Sequence, residues 1–155
     1  MKKINLAIGI HNHQPVGNFD FVFEQAYQKA YLPFLTVHER FSGIKLTHHF
    51  SGILLQWIKE NHPEFLPRLR ALVHKGQVEM MTGGFYEPIL ATIPDADKVG
   101  QIKKLTRFVK EETGCDAIGA WVAERVWEPD LPQPLAQAGV RYTVIDDAHF
   151  KYAGL

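Results

Sequence analysis

The sequence predicts an α/β fold built around a parallel β-sheet. Five short apolar segments alternate with longer segments that carry helical periodicity and helix-end signals. Because consecutive strands separated by a helix pair in parallel through right-handed crossovers, this alternation predicts five strand–helix units in one sheet. The hydrophobic fraction of 46% is sufficient for a buried core and argues against a disordered chain.

The predicted strands are the apolar runs that end in polar or glycine-rich loops. The polar residues after the first, third, fourth and fifth runs are expected to meet at one rim, because the carboxyl ends of parallel strands share one edge. A complete (β/α) barrel needs about 250 residues, so five units stop short of closure and indicate part of a larger domain. The runs cover residues 4–10, 44–50, 77–82, 117–120 and 141–145.

Capping residues and prolines mark the predicted helices between these strands. Asp20 begins a helix that extends to about Arg40, and Pro33 is expected to break or kink it, since proline lacks the N–H group that a helix interior requires. No helix is predicted after the fifth strand. Four other helices are predicted to begin at Ser51, Pro63, Asp95 and Leu131, and the last three of these end at Gly76, Gly114 and Gly139.

The charge balance and the cysteine count exclude several classes of partner. The 17 Lys and Arg residues offset 17 Asp and Glu residues, so no attraction to nucleic acid or to an anionic membrane is expected. The first apolar run is too short for a signal peptide or a membrane span. Cys115 is the only cysteine, which favours a reducing compartment, and we therefore expect a cytoplasmic protein.

The stretch after the fourth strand concentrates residues that are typical of sugar chemistry. Glu124 lies between Trp121 and Trp127. Tryptophan stacks on sugar rings, and a carboxylate at a strand end can attack an anomeric carbon. Arg125 is expected to keep Glu124 ionised by Coulomb attraction. The alternative is an ordinary surface salt bridge between Arg125 and Glu124 or Glu128.

Two further groups of polar residues follow other strands. Glu87 lies in a glycine-rich loop after the third strand, where it can accept sugar hydroxyl hydrogens; alone, it is more simply a solvated acid in a turn. His11 and His13 follow the first strand, and their spacing also occurs in the metal pair of amidohydrolases. His48 and His49 are adjacent in a strand and are expected to point to opposite faces. Three other histidines are expected at the surface: His38, His62 and His74.

Together these motifs resemble those of glycoside hydrolase family 57, whose members are mostly archaeal and bacterial α-glucan enzymes. Residues 11–15 (HNHQP), 83–88 (GGFYEP) and 123–129 (AERVWEP) are similar to three motifs of that family, in the family's order. The resemblance extends over essentially the whole chain. The form of the second motif resembles the 4-α-glucanotransferases and α-amylase-like members more closely than the branching enzymes.

The resemblance implies that residues 1–155 are the N-terminal portion of an incomplete seven-stranded (β/α) barrel with a retaining mechanism. It also implies that Glu124 is the nucleophile. The family's general acid is an aspartate farther downstream, beyond the end of this sequence. The implied substrate-binding residues are His11, His13, Glu87, Trp121 and Asp147.

The expected function is that of a retaining α-glucan glycosidase or transglycosylase, of the α-amylase or 4-α-glucanotransferase type. The expected substrate is an α-1,4-glucan or a maltooligosaccharide, with no cofactor and no metal. Two alternatives stay open: a metal-dependent hydrolase that uses His11 and His13, and a non-catalytic sugar-binding fragment. The unpaired edges of the first and fifth strands predict self-association, or order only beside a missing C-terminal portion.

Overall fold

A five-stranded parallel β-sheet forms the centre of the computed structural model, which describes residues 3–154. Each strand pairs in parallel with the next strand of the sequence. This arrangement confirms the predicted α/β class, because parallel strands in sequential order are the topology of a (β/α) barrel. The strands are β1 (Gly9–Asn12), β2 (Leu46–Phe50), β3 (Val78–Gly83), β4 (Gly119–Trp121) and β5 (Tyr142–Thr143).

The first strand begins later than predicted. The apolar run at residues 4–10 suggested a strand from Ile4, but pairing with β2 begins at Gly9. Ile4 and Leu6 are 89% and 80% exposed, so no part of the described chain covers them. An apolar run forms a strand only where a neighbouring strand satisfies its backbone groups. The prediction for this segment was therefore wrong at its start.

Helices follow every strand, and the longest helical run contains the predicted proline. Pro33 does not break this run, which begins at Asp20 and continues through a π-helical segment at Tyr27–Tyr31. The Leu32 N–H group donates to the carbonyl of Tyr27, five residues back. This wider turn lies directly before the proline, which has no N–H group of its own. The helices are α1 (Asp20–Ala26), α2 (Leu32–Arg40), α3 (Gly52–Asn61), α4 (Phe65–His74), α5 (Asp95–Thr113), α6 (Pro132–Gln137) and α7 (Asp147–Tyr152).

Several features of the helices differ from the prediction, and α4 begins at Phe65 rather than at Pro63. The short helix α7 follows β5, where no helix was expected. The negative charge of Asp147 in its first turn interacts favourably with the helix dipole, and its carboxylate pairs with Lys151 one turn later at 2.5 Å. Its six residues are too few for a clear apolar periodicity. Asp95 does not cap α5, because Pro94 occupies the N-cap position and the Asp95 side chain instead accepts a hydrogen bond from Lys98.

The apolar core lies between the sheet and the helices. Side chains alternate along each strand, so every second residue points outward to the helices and the others point into the concave side of the sheet. Each fully buried aliphatic or aromatic side chain contributes roughly 1.5–3 kcal/mol to the stability of the fold. The larger cluster includes Phe50, Leu54, Phe65, Leu69 and Met80, and the smaller one includes Ile102, Val122 and Leu135.

The concave side of the sheet carries polar and aromatic side chains beside apolar ones. A cavity of about 240 Å³ lies against it and is lined both by β1 and by residues of β5 and just beyond it. The sheet therefore curves far enough for its two ends to share one cavity, although β1 and β5 do not pair within the described residues. The polar and aromatic lining residues are His11, Thr47, His49, Trp121 and Tyr142.

Candidate active site

Two histidines and one glutamate form the centre of the candidate site. His11 belongs to β1, His13 follows it, and Glu87 lies in the loop after β3. His11 Nε2 is 3.1 Å from Glu87 Oε1, and His13 Nδ1 contacts Glu87 Oε2. Each carboxylate oxygen therefore accepts a hydrogen bond from a different imidazole. The strands involved are separated by β2, so this contact confirms that polar residues after β1 and β3 meet at one rim.

The Glu87 carboxylate is buried and yet held in its charged form. Its side chain is only 6% exposed. Burial raises the pKa of Glu87, but the hydrogen bond from His11 and the Coulombic attraction of the imidazoles around it outweigh this effect. The pKa of Glu87 consequently lies below its ordinary value. The result is a fixed, negatively charged hydrogen-bond acceptor at the rim.

His49 lies beneath this cluster on the neighbouring strand. It is the register partner of His11, and the Nδ1 atoms of the two rings are 2.8 Å apart. Burial lowers the pKa of His49 to about 3, and attraction to Glu87 only partly offsets this effect. The ring is therefore neutral at pH 7. His48 points the other way and stacks on His38, which confirms that the adjacent histidines face opposite sides of the sheet.

Trp121, at the end of β4, forms an aromatic wall of the site. Its indole stacks on the His11 ring, with 4.3 Å between ring centroids and an angle of 19° between planes. Trp121 Nε1 is buried and lacks a hydrogen-bond partner in the part of the chain that the structure describes. A buried unpaired donor costs about 1–3 kcal/mol, so a ligand oxygen that reached it would supply a missing acceptor.

Gly83 allows the walls of the site to approach one another. A Cβ atom at this position would lie 2.8 Å from the Trp121 carbonyl oxygen and 2.9 Å from His49 Nε2. Both distances are shorter than a carbon atom tolerates. The first glycine of the predicted pair therefore serves close packing between β2, β3 and β4 at the carboxyl end of the sheet.

Glu124 lies on a strained turn directly after β4. The φ angles of Glu124 and Arg125 are 52° and 55°, and that of Glu87 is 54°. Among residues 3–154 these are the only residues other than glycine with positive φ. A residue with a Cβ atom loses roughly 1–2 kcal/mol in this conformation, and such strain clusters at functional sites. The Glu124 side chain itself is exposed to solvent.

Arg125 does not pair with either neighbouring glutamate in the described structure. Its Nε atom is 3.1 Å from Asp146 Oδ1. The alternative of a surface salt bridge between Arg125 and Glu124 or Glu128 is therefore wrong, because the left-handed turn leaves Arg125 within reach of Asp146, three residues beyond the end of β5. The Glu124 carboxylate is thus left without an ion-pair partner among the described residues.

The structure changes the interpretation of three other residues. Asp147 is not brought to the cluster: its side chain is 80% exposed and pairs with Lys151 in its own helix. His38 is buried rather than at the surface, so that prediction was wrong; it packs between α2 and β2 and bonds a nearby backbone carbonyl. His49 was missed as a site residue. Strand alternation from His11 across the sheet was the signal that could have identified it.

The same cluster has the composition of a metal site. One ligand atom each from His11, His13 and Glu87 lies within 4.8 Å of the others. Two imidazole nitrogens and one carboxylate oxygen suit a divalent ion such as zinc. In this structure these atoms are hydrogen-bonded to one another, so a metal ion would replace the hydrogen bonds.

These features define a (β/α)-barrel protein with acids, histidines and a tryptophan at the carboxyl ends of its strands. Active sites of (β/α) barrels lie at this end of the strands. The sequence model of glycosyl hydrolase family 57 matches residues 7–155. The chain therefore belongs to glycosyl hydrolase family 57, as its three motifs indicated. No helix among residues 3–154 has the length and apolar character that crossing a membrane requires.

The relatives of this chain are much longer proteins. It is 51% identical over 154 residues to Alpha-amylase 1 of Dictyoglomus thermophilum, covering 99% of this chain and 22% of that protein. It is 50% identical over 155 residues to a 4-alpha-glucanotransferase of Thermococcus litoralis, covering 100% of this chain and 23% of that protein. The crystal structure of a Thermococcus litoralis 4-alpha-glucanotransferase matches with a TM-score of 0.97, over 100% of this chain and 24% of that one. The chain thus spans less than a quarter of these relatives.

Proposed function

We propose that this chain is the N-terminal part of the catalytic domain of a retaining α-glucan glycosidase or transglycosylase. The α-amylase or 4-α-glucanotransferase type is supported because proteins of both names are about half identical to it over nearly its whole length. The observation that carries the proposal is the position of Glu124, an exposed carboxylate held at φ 52° directly after β4. Strain of this kind persists where function requires a fixed side-chain direction.

In the proposed mechanism Glu124 is the nucleophile. Its carboxylate attacks the anomeric carbon, the bond to the leaving oxygen breaks while that oxygen takes a proton, and a covalent glycosyl-enzyme forms. Water or a hydroxyl group of a second glucan then attacks the same carbon from the opposite face. Two inversions give net retention, with hydrolysis in the first case and chain transfer in the second.

His13, Glu87 and Trp121 are proposed to contact the sugar. Each Glu87 oxygen accepts one hydrogen bond from a histidine and keeps a second lone pair for a sugar hydroxyl group. His13 pairs with Glu87 through Nδ1, which leaves its Nε2 as the ligand-facing nitrogen. His11 has both nitrogens engaged within the protein. It therefore contributes by supporting Glu87 and Trp121.

The second catalytic carboxyl group is proposed to lie downstream of this sequence. Retaining enzymes need two carboxyl groups about 5–5.5 Å apart. Of the three substitutes within this sequence, Asp146 is engaged by Arg125 and Asp147 by Lys151, and Glu128 is an exposed loop residue that no observation favours for this role. Protonation of the leaving group typically contributes about 10²–10⁴-fold to the rate. The 155-residue chain alone is therefore expected to have little or no activity.

Glu124→Gln in the complete protein tests this proposal. The amide keeps the shape of the side chain and removes the nucleophile, so turnover of maltooligosaccharides should fall by about 10⁴-fold or more. Calorimetric binding of maltooligosaccharide should persist. Glu128→Gln, four residues away in the same exposed loop, is the matched control and should keep most of the activity. Near-normal turnover by Glu124→Gln would refute the assignment, and binding without turnover in the unaltered protein would favour a non-catalytic sugar-binding role.

A second candidate is a metal-dependent hydrolase, which the close spacing of His11, His13 and Glu87 favours. A divalent ion held by these residues would activate a water molecule for hydrolysis. Elemental analysis of protein purified without chelators separates the candidates. Stoichiometric zinc, with activity lost on chelation, would support the metal site, whereas an active metal-free protein would exclude it.

We also propose that the two open edges of the sheet require a covering partner. Within the described residues β1 pairs only with β2, and β5 only with β4. The side chains of Ile4, Leu6 and Val144 are exposed beside these edges. Unpaired backbone groups and apolar side chains at a strand edge promote association. Either downstream residues or a second copy of the chain is therefore expected to cover them.

A further inference from the structure

His49 occupies a position from which it can control the proposed sugar-binding group. Its ring stacks under His11, with centroids 4.9 Å apart. It is 1% exposed, so no ligand reaches it directly. Asn12 Nδ2 donates to the His49 backbone carbonyl at 3.0 Å, which holds β1 and β2 in register at this point.

The partners of the two rings determine where their protons lie. A carboxylate only accepts hydrogen bonds, so His11 Nε2, which is 3.1 Å from Glu87, carries a proton. In a neutral ring the other nitrogen is then an acceptor. His11 Nδ1 therefore accepts the proton of His49 Nδ1 across 2.8 Å. This assignment leaves His49 Nε2 without a proton.

The surroundings of His49 Nε2 agree with this assignment. The atom is buried and has no hydrogen-bond partner among the described residues, and it packs against the backbone of Gly83. A buried site without a hydrogen-bond partner is less unfavourable for an unprotonated ring nitrogen than for an N–H donor. A proton there would leave a buried N–H group without an acceptor, which is unfavourable. Both rings are thus held in single tautomers.

We propose that His49 is a positioning residue that holds the His11 ring in place and thereby fixes the direction of the Glu87 carboxylate. The inference rests on the proposed function in that Glu87 contacts the sugar. Without the His49 donor, His11 Nδ1 has no partner among the described residues, and the ring can turn so that Nε2 no longer faces the carboxylate. Glu87 then keeps only its hydrogen bond to His13.

Substitutions at position 49 in the complete protein test the proposal. His49→Asn keeps an N–H donor near the place of Nδ1, His49→Gln moves the amide toward the place of Nε2, and His49→Leu removes both. We expect kcat/KM for maltooligosaccharides to fall roughly 10–100-fold in the Leu and Gln variants, an effect of the size seen when a histidine loses the partner that orients it. The Asn variant should keep most of its activity. His48→Leu controls for general damage to β2, because His48 lies on the other face.

Nitrogen NMR of protein labelled with ¹⁵N-histidine provides a readout that needs no turnover. The unaltered protein and His49→Asn should show a His11 Nε2 proton that exchanges slowly with water, because it is hydrogen-bonded to Glu87, and His49→Leu should show fast exchange of this proton. Retention of the slowly exchanging Nε2 proton in His49→Leu would overturn the proposal, as would equal kcat/KM for the Asn and Gln variants. If His49→Leu does not fold, the comparison of kcat/KM between His49→Asn and His49→Gln tests the proposal. If Glu124→Gln keeps near-normal activity, the proposed function is refuted. The histidine spectrum would still test the role of His49.

Discussion

Acidification is expected to destabilise this protein through the histidines buried on β2. His48 is 2% exposed, and both of its ring nitrogens lack partners in the described part of the chain. Burial, with a smaller contribution from His38, lowers the pKa of His48 from 6.5 to about 4. The unfolded chain then accepts a proton that the folded state resists. Stability is therefore lost as the pH falls below 6.5, and this loss is nearly complete below pH 4.

The size of the effect follows from the two pKa values. Between pH 7 and pH 5 such a histidine lowers the free energy of unfolding by about 2 kcal/mol, and by pH 4 the loss is about 3 kcal/mol. For a domain of this length, 2 kcal/mol corresponds to a fall in Tm of about 4–8 °C. His49, whose pKa burial lowers to about 3, adds a loss of similar size over the same range.

Thermal unfolding followed by circular dichroism at pH 7 and pH 5 measures this effect. His48→Leu should equal or exceed the original Tm at pH 7, because no hydrogen bond of the ring is lost. Its loss of stability between the two pH values should be smaller by about 2 kcal/mol. His74→Leu replaces an exposed histidine at the end of α4 and should keep the original difference. An equal fall in Tm for His48→Leu and the unaltered protein would refute the reasoning.

Two further predictions concern the strained turn and the open edges. Glu124→Gly should raise the free energy of unfolding by about 1 kcal/mol, because glycine adopts positive φ freely. Lys103→Gly, on the exposed side of α5, should instead lower it by roughly 0.5–1 kcal/mol, and a destabilised Glu124→Gly would contradict the strain argument. The purified 155-residue chain should either have a mass above that of its 17.7 kDa monomer in size-exclusion chromatography with light scattering, or fail to unfold cooperatively. A monodisperse, cooperatively unfolding monomer would contradict the edge argument.

The fold class was predictable because its signals are local. Gly76, Gly114 and Gly139 mark helix ends in the sequence, and all three have the positive φ that such ends require. The start of β1 was not predictable in this way. Ile4 and Leu6 have the apolar pattern of a strand, but a strand also needs a partner for its backbone, and pairing is a property of the whole sheet.

The candidate site was predictable only as far as strand ends define it. His11, His13 and Glu87 could be placed at one rim because parallel strands share their carboxyl edge. The partner of Arg125 could not be predicted, since it depends on the turn at Glu124 and on how far β5 extends. The sequence indicated that the side chains of His48 and His49 point to opposite faces of the sheet. Which of the two faces the concave side depends on strand register, which the sequence does not show.

Two kinds of energetically unfavourable feature occur in this chain: strained backbone conformations at the rim and buried, unpaired histidine nitrogens on the helix side. Glu87, Glu124 and Arg125 each adopt a strained backbone conformation at the rim, and a single change to glycine would relieve the strain at each of them. His38 and His48 bury unpaired nitrogens on the helix side, away from the proposed chemistry. Relief of strain at Glu124 should stabilise the protein and abolish turnover, whereas removal of the His48 ring should preserve both stability and turnover. This contrast separates a conformation retained for function from a buried polar group that the fold merely tolerates.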